Sequence, residues 1–167
     1  MNINQPIPNF LLPDIKGNIH QIEQYRGKIV IINFWSCECP HSERTDKAIL
    51  SMFVQWRDEV ELITIASNRN ETVEEIKNVS EARHIPNVWL DAKCEIANLF
   101  EAVTTPHVFV IDRDGILRYR GAVDDVKFRQ KTPTRFFLDE AIESLLVGQL
   151  PTIQESPAYG CAIVREI

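Results

Sequence analysis

The sequence lacks any apolar run approaching the roughly 18 residues that a membrane-spanning helix requires. Its N-terminus, Met-Asn-Ile-Asn-Gln-Pro, also lacks the basic patch and apolar stretch that mark a secretory signal. Hydrophobic residues make up 44% and charged residues 25% of the 167 residues, which is ordinary for a globular protein. We therefore expect a soluble, cytoplasmic protein that does not interact with a membrane.

The sequence has fewer basic than acidic residues. The sequence has 18 lysines and arginines against 24 aspartates and glutamates, a formal net charge of -6. Nucleic acids and anionic membranes would both repel such a surface, so neither is expected as a partner. Internal repeats and low-complexity segments are absent as well. Because a chain of this length can bury a sizeable core unaided, we predict one domain over residues 1–167, in which residues 148–167 form a C-terminal tail.

The hydrophobic pattern predicts strands that alternate with helices. The run from Lys28 to Trp35, KIVIINFW, is typical of a central strand buried on both faces. Apolar positions at helical spacing follow over residues 41–56. Further strands are predicted over residues 60–67, 107–112 and 116–121, further helices over residues 71–83, 93–102 and 135–146, and a hairpin around residues 14–19. This order predicts an α/β fold with a central mixed β-sheet flanked by helices and an N-terminal hairpin.

Cys39 is the strongest candidate for a reactive residue. It follows the predicted buried strand and precedes the predicted helix, whose unpaired N–H groups and dipole stabilise a negatively charged sulfur. Pro40 suits the first helical turn because its missing N–H costs no hydrogen bond there. His41 can add positive charge beside the sulfur. Together these residues predict a thiolate whose pKa lies below the free-thiol value of about 8.5.

The segment from Asn33 to Ser42, NFWSCECPHS, resembles the strand and active site of TlpA/ResA-type thioredoxin-like proteins in the AhpC/TSA superfamily. Residues 14–27 and the Thr105-Pro106 pair, at the family's cis-proline position, are similar to the same group. The resemblance implies a thioredoxin-like fold and a thiol-disulfide oxidoreductase that uses no cofactor. It also implies that Thr105 faces the Cys39 sulfur and binds extended substrates through its backbone. The substrate-binding residues expected on this basis are Thr105, Pro106, Pro40, Ser42 and Trp35.

Three downstream motifs resemble a peroxiredoxin-like branch of the superfamily. They are TPHVFVID at residues 105–112, GAVDD at residues 121–125 and GCAI at residues 160–163. This resemblance implies an antioxidant protein in cell redox homeostasis, with hydroperoxides as substrates besides protein or small-molecule disulfides and thiols. An external thiol is the expected reductant. Ile32 stands where a true peroxiredoxin has proline, which argues against efficient peroxidase activity.

The second cysteine of a C-x-x-C motif is missing, because Ser42 occupies its position. A serine hydroxyl cannot form a disulfide, so Cys39 needs another sulfur to resolve a mixed disulfide. Cys37 is close in sequence, but a ring that small strains the backbone. Cys161 lies on a proline-containing tail that can dock without disturbing the core. We predict Cys161 ahead of Cys37, and an external thiol is the third alternative.

The same residues also suggest a function of a different class. Cys37, Cys39 and His41 form a C-x-C-x-H cluster of sulfur and imidazole ligands, which suits copper(I) or zinc. The alternative hypothesis is therefore a metal-binding module on the same fold. A redox-inactive interaction domain is a third interpretation, because a fold alone does not imply chemistry. Metal content of the purified protein and alkylation kinetics at Cys39 would separate the three.

Overall fold

The computed structural model describes residues 1–166, which form nine strands and four α-helices. The strands are β1 (Leu11–Pro13), β2 (Ile19–Gln21), β3 (Ile29–Trp35), β4 (Val60–Ala66), β5 (Val88–Leu90), β6 (Thr104–Thr105), β7 (His107–Ile111), β8 (Leu117–Gly121) and β9 (Cys161–Ala162). The helices are α1 (Pro40–Gln55), α2 (Val73–Ala82), α3 (Glu95–Leu99) and α4 (Phe137–Leu146), and a 3₁₀ helix covers Ile22–Tyr25. None of these helices is long and apolar enough to cross a membrane.

The central sheet has five strands in the order β5-β4-β3-β7-β8. Strand β3 runs parallel to β4 and antiparallel to β7, so the sheet is mixed. Strands β1 and β2 form a separate antiparallel hairpin near the N-terminus. The predicted α/β architecture, a mixed sheet flanked by helices with an N-terminal hairpin, is confirmed.

Strand β3 is buried along its whole length because helices and loops cover both faces of the sheet. Alternate side chains point to opposite sides, as the period of a strand requires. Ile29 and Ile31 pack in a cluster with α1 and α4, whereas Ile32 and Phe34 pack with the N-terminal segment and α3. The carboxyl end of β3 therefore lies at the middle of the sheet, directly before α1.

The third helix and strand β5 differ from the sequence prediction, and the short strands β6 and β9 and the 3₁₀ helix were not predicted either. The third helix is shorter than residues 93–102, because Cys94 (φ 57°) and Glu101 (φ 56°) adopt left-handed backbone conformations that cannot continue a right-handed helix. Strand β5 was not expected, since three residues are too short to show alternation, and its pairing with β4 defines it.

The tail after α4 packs against the body of the protein. The backbone N–H of Ser156 donates to the Arg120 carbonyl, and the Arg120 N–H donates to the Gln154 carbonyl. Further along, β9 pairs antiparallel with β6, and the side chain of Ile163 is buried in the core. The predicted C-terminal tail is thus ordered and docked along residues 154–163.

Candidate active site

Cys39 lies at the junction of β3 and α1. It occupies the N-cap position, and α1 begins at Pro40, as the sequence predicts. The residue is only 3% exposed. Its sulfur therefore sits at the positive end of a sixteen-residue helix and away from bulk water.

The Thr105–Pro106 peptide bond is cis, as predicted. It connects β6 to β7, the strand that pairs with β3, so it reaches the same end of the sheet as Cys39. The Cys39 Sγ lies 3.1 Å from the carbonyl oxygen of Thr105. The structure thus places the Thr105 carbonyl against the sulfur, as the family resemblance implied, and Pro106 follows it through the cis bond.

Cys161 is the sulfur that the structure brings to Cys39. In the pairing of β6 with β9, Thr105 lies opposite Cys161. The two sulfur atoms are 2.8 Å apart although they are 122 positions apart in the sequence, and both cysteines are free. Cys161 is partly exposed, whereas Cys39 is buried.

The pKa values of the two thiols are shifted in opposite directions. Burial alone would raise the pKa of Cys39, but the Cys161 thiol, the Thr105 side chain and the Ser42 backbone N–H beside the sulfur outweigh it and lower that pKa. The Thr105 hydroxyl is buried and has no hydrogen-bond partner within residues 1–166. Burial, and then the adjacent Cys39 sulfur, raise the pKa of Cys161 to about 11. Cys39 is therefore the thiol of the pair that ionises first, and once ionised it can accept a hydrogen bond from the Cys161 thiol.

Replacing Cys161 with alanine is expected to raise the pKa of Cys39, because the variant loses the first of the hydrogen bonds that stabilise the thiolate. Thiolate absorbance as a function of pH measures this change, with Cys94→Ser as a control variant whose cysteine lies outside the site. An unchanged Cys39 titration in Cys161→Ala would contradict the arrangement of donor and acceptor described above.

Cys37 is turned toward a different partner. Its thiol and its backbone N–H both donate to Glu71 Oε1, each at 2.6 Å. Burial, followed by the hydrogen bond and charge of Glu71, raises the pKa of Cys37 well above the usual thiol range. Cys37 is therefore held as a protonated, unreactive thiol, and the structure does not use it as the partner of Cys39 in the reduced protein.

We expect Glu71→Gln to lower the pKa of Cys37, because the amide removes the negative charge that opposes ionisation. Burial is the larger cause, so the pKa should still exceed that of a free thiol. Alkylation of the folded protein at several pH values, followed by peptide mass analysis, reports each cysteine separately. Equal alkylation rates at Cys37 in wild type and variant would show that Glu71 does not control this thiol.

The remaining predicted residues lie around the site with roles that differ in part from expectation. The His41 ring packs edge to face on Tyr159 of the tail, with centroids 5.0 Å apart, instead of stabilising the Cys39 thiolate. The backbone N–H of His41 donates toward Cys161 and lowers the pKa of the Cys161 thiol. The Ser42 hydroxyl accepts a hydrogen bond from the Ser36 N–H, so only the backbone of Ser42 serves the thiolate.

Two acidic residues of this region, Glu71 and Asp46, were missed by sequence reasoning. Glu71 bonds Cys37, and Asp46 of α1 accepts a hydrogen bond from the Trp35 indole N–H at 3.1 Å. Topology offered a signal for Glu71, because β3 and β4 are parallel neighbours and the loops after both strands meet at one edge. Trp35, expected among the substrate-binding residues, is fully buried beside the site, so its side chain is not open to a substrate in this structure.

The described part of the chain does not offer the ligand set that the metal-site hypothesis requires. Residues 1–166 contain no group of three or more histidine, cysteine, aspartate or glutamate side chains arranged to hold a metal ion. Cys37 faces Glu71, Cys39 faces Cys161, and His41 faces Tyr159. The three side chains of the C-x-C-x-H motif therefore face three different partners and do not converge on one point in this structure.

The fold and this site define a thioredoxin-like protein with one cysteine at a helix N-terminus and a second cysteine, on its tail, whose sulfur lies against the first. Residues 3–120 match the model of the AhpC/TSA family, and the chain belongs to that family. Thiol-disulfide oxidoreductase ResA of Bacillus thuringiensis is 27% identical over 117 residues, 69% of this chain and 66% of that protein. ResA of Geobacillus kaustophilus is 26% identical over 115 residues, 68% of this chain and 65% of that protein. The chain thus matches slightly less than two thirds of the length of these relatives.

Solved structures support the fold. An uncharacterized conserved protein from Geobacillus kaustophilus superposes with a TM-score of 0.90 at 24% identity, covering 99% of this chain and 93% of that chain. A thioredoxin domain of a thiol-disulfide oxidoreductase from Bacteroides vulgatus superposes with a TM-score of 0.65 at 19% identity, covering 78% of this chain and 93% of that one. The predicted thioredoxin-like fold is therefore confirmed.

Proposed function

We propose that this protein is a thiol-disulfide oxidoreductase in which Cys39 attacks a disulfide or sulfenic acid and Cys161 resolves the product. The observation that carries the proposal is the 2.8 Å separation of the two sulfur atoms, with the pKa lowered at one and raised at the other. The printed names of the ResA relatives, thiol-disulfide oxidoreductases, point to the same chemistry.

The reaction proceeds by two thiol-disulfide exchanges. The Cys39 thiolate attacks one sulfur of a substrate disulfide, which forms a mixed disulfide and releases the other substrate sulfur as a thiolate that takes up a proton. Cys161 then loses its proton and attacks the Cys39 Sγ, which forms the Cys39–Cys161 disulfide and releases the second substrate thiolate. The substrate disulfide is reduced to two thiols while the two protein thiols are oxidised. An external thiol reductant restores them.

The first exchange prepares Cys161 for the second. While Cys39 is a thiolate, its hydrogen bond and charge help to raise the pKa of Cys161. Once Cys39 is bound in a mixed disulfide, that charge is gone, and the pKa of Cys161 falls toward the value set by burial alone. The resolving thiol therefore ionises more readily after the nucleophile has reacted than before.

The proposal extends to hydroperoxides, as the likeness to the peroxiredoxin-like branch suggests. Attack of the Cys39 thiolate on a hydroperoxide would form a sulfenic acid and release an alcohol or water, and Cys161 would condense with the sulfenic acid and release water. No arginine is among the hydrogen-bond partners of Cys39 within residues 1–166. We therefore expect this reaction to be slower than attack on disulfides. The antioxidant role and the cytoplasmic location stay predictions.

Mapping the cysteines of the oxidised protein by peptide mass tests the proposal. One equivalent of a small disulfide should produce the Cys39–Cys161 disulfide in wild type and in Cys37→Ser. Cys161→Ser should instead accumulate the mixed disulfide on Cys39. A Cys37–Cys39 disulfide in the wild type, or an intramolecular Cys39 disulfide in Cys161→Ser, would overturn the assignment of Cys161.

A further inference from the structure

The loop between β8 and α4 is strongly basic in a protein that is acidic as a whole. Residues 126–136 contain four lysines and arginines and no aspartate or glutamate, whereas the whole chain has 18 basic and 24 acidic residues. Arg135 pairs with Glu140 of α4. The other three basic side chains are exposed and form no salt bridge within residues 1–166; they belong to Lys127, Arg129 and Lys131.

Asp125 ties the two ends of this loop together. Its backbone N–H donates to the Arg135 carbonyl at 3.2 Å, and its side chain accepts a hydrogen bond from the Thr134 N–H at 2.8 Å. The residues between these bonds therefore form a closed loop of defined shape. We call residues 126–135 the basic arm.

The tip of the basic arm presents an aromatic ring among the unpaired charges. The backbones of Lys127 and Gln130 bond each other in both directions at 3.0 Å, so Phe128 and Arg129 are the middle residues of a tight turn. The Phe128 side chain is 76% exposed, the largest value for a large hydrophobic residue within residues 1–166, and the Lys131 ammonium lies 5.3 Å from its ring centroid. Exposed aromatic and arginine side chains are typical of the residues that dominate protein interfaces.

The root of the basic arm is fixed to the helix that begins beside Cys39. Arg44, five residues after Cys39 on α1, makes two hydrogen bonds to the Asp124 carboxylate, at 2.8 and 3.0 Å. Asp124 is buried and also accepts a hydrogen bond from the N–H of Val126, the first residue of the arm, at 3.1 Å. Five helical residues rise only about 7.5 Å. A protein whose disulfide reaches Cys39 therefore has the arm beside its own surface.

An acidic protein surface fits the basic arm better than a membrane does. Three unpaired basic groups around one aromatic ring complement a surface that offers carboxylates around an apolar patch. Polybasic segments that bind anionic lipids use clusters of about four to eight lysines and arginines, more than the arm leaves unpaired. The net charge of -6 on the whole chain also opposes close approach to an anionic membrane.

We propose that the basic arm is a docking surface for the protein that exchanges disulfides with Cys39, and that this partner presents acidic side chains around an apolar patch. The inference rests on the proposed function and specifies its partner as an acidic polypeptide. The arm raises the rate of encounter by charge, and Phe128 adds apolar contact. The bonds that form and break are those of the exchange at Cys39 and Cys161.

Peptides that combine a cysteine, a glycine spacer and a charged end test the arm. The acidic peptide ends in Glu-Glu-Leu-Glu-Glu and the neutral peptide in Gln-Gln-Leu-Gln-Gln, each with spacers of about four and about eight glycines, which extend over roughly 13 and 26 Å. The cysteine carries a 2-nitro-5-thiobenzoate disulfide. Attack of the Cys39 thiolate on the peptide sulfur forms a mixed disulfide and releases the coloured thiolate, whose absorbance gives the rate constant. Cys39→Ser supplies the blank.

Two variants of equal net charge separate the arm from the charge of the whole protein. The arm variant combines Lys127→Gln, Arg129→Gln and Lys131→Gln. The control variant combines Lys16→Gln, Lys77→Gln and Lys93→Gln, which are exposed positions close to β5. Because β5 and β8 are opposite edges of the central sheet, the control variant loses the same charge far from the arm.

At about 0.1 M salt, where charges are screened beyond about 10 Å, we expect the wild type to react about tenfold faster with the acidic than with the neutral peptide. The control variant should keep this ratio, and the arm variant should reduce it to about one. About 1 M salt should also abolish it in the wild type. Rates with the neutral peptide should be equal in all three proteins, which shows that the fold and Cys39 are intact.

The aromatic ring of the arm is tested separately. Phe128→Ala should slow the reaction with the acidic peptide about threefold, because the leucine of the peptide loses its apolar contact. An acidic peptide with serine in place of that leucine should react equally with Phe128→Ala and wild type. A Phe128→Ala protein that reacts with the leucine peptide as fast as wild type would remove the apolar patch from the proposed partner.

An acidic-to-neutral ratio near one in the wild type with both spacers, or the same loss of this ratio in the arm and control variants, would overturn the docking surface while leaving the oxidoreductase intact. Failure of the proposed function is a different result, in which no peptide releases the coloured thiolate above the Cys39→Ser blank. Vesicles that contain phosphatidylserine test the other partner class. If they bind the wild type but not the arm variant, and both proteins show the same peptide ratio, the arm contacts a membrane and the proposal is wrong.

Discussion

Cys39→Ser is expected to lower the rate of reaction with small disulfides by a factor on the order of 10⁴ or more. Serine keeps the size of the side chain, but its hydroxyl does not ionise near neutral pH, so the residue that begins both exchanges is lost. The fold should be unaffected, because Cys39 serves as the N-cap of α1 without making a side-chain capping bond. The release of a coloured thiolate from an aromatic disulfide measures the effect.

Cys94→Ser is the matched control for this loss. Cys94 is also buried, and its thiol donates to the Ser67 carbonyl at 2.9 Å, a bond that a serine hydroxyl can replace. Burial and the nearby Asp91 carboxylate raise the pKa of Cys94, so this thiol should contribute nothing to the reaction at neutral pH. If Cys39→Ser kept more than a tenth of the wild-type rate while Cys94→Ser lost the activity, the nucleophile would be Cys94 and not Cys39.

The sequence predicted those features that arise from local patterns. The apolar run of β3 followed by Cys39 and Pro40 specifies a buried strand, a turn and a helix start, and all three are present. The family resemblance implied a cis bond at Thr105-Pro106 near the sulfur, and the structure has that bond. The strand, turn and helix start were predictable because each depends on neighbouring residues whose geometry is restricted by burial or by the proline ring.

Contacts between distant parts of the chain were predicted less well. His41 adjoins the motif in sequence, yet its ring contacts Tyr159, because docking of the tail supplies an aromatic neighbour that local sequence cannot reveal. Glu71 lies in the loop after β4, and only the parallel pairing of β3 and β4 brings it to Cys37. For Cys161, the sequence indicated a mobile sulfur but not the two-residue pairing with β6 that places it.

The buried carboxylate of Asp46 ties the active-site strand to two helices. It lies on α1, with 7% of its side chain exposed, and accepts hydrogen bonds at 3.1 Å from the Trp35 indole N–H and from Arg83 Nη1. Arg83 follows α2 and also donates to the Cys37 carbonyl at 3.4 Å. Loss of Asp46 would therefore leave the buried Trp35 indole N–H without an acceptor, whereas Arg83 keeps the Cys37 carbonyl and the Glu43 carboxylate, 3.6 Å from its Nη2.

Asp46→Ala is expected to lower the free energy of unfolding by about 2 kcal/mol, because the buried Trp35 indole N–H loses its acceptor. Asp46→Asn should cost less than about 1 kcal/mol, since the amide oxygen can still accept a hydrogen bond and the charge itself contributes little. Burial disfavours the ionised carboxylate and raises the pKa of Asp46, although the bonds from Trp35 and Arg83 oppose this effect. For this reason the negative charge itself should contribute little to stability. Urea denaturation at pH 7 measures both variants.

The pH dependence of this difference gives the second test. A raised pKa in the folded protein means that Asp46 stabilises the fold below its unfolded value of about 3.9 and that this contribution is lost as pH rises through the folded value. Asp46→Asn cannot titrate, so its stability relative to wild type should improve as pH rises from acid to neutral. If Asp46→Asn were instead progressively less stable than wild type over that range, the ionised carboxylate would be a net source of stability and the balance assigned here to burial would be wrong.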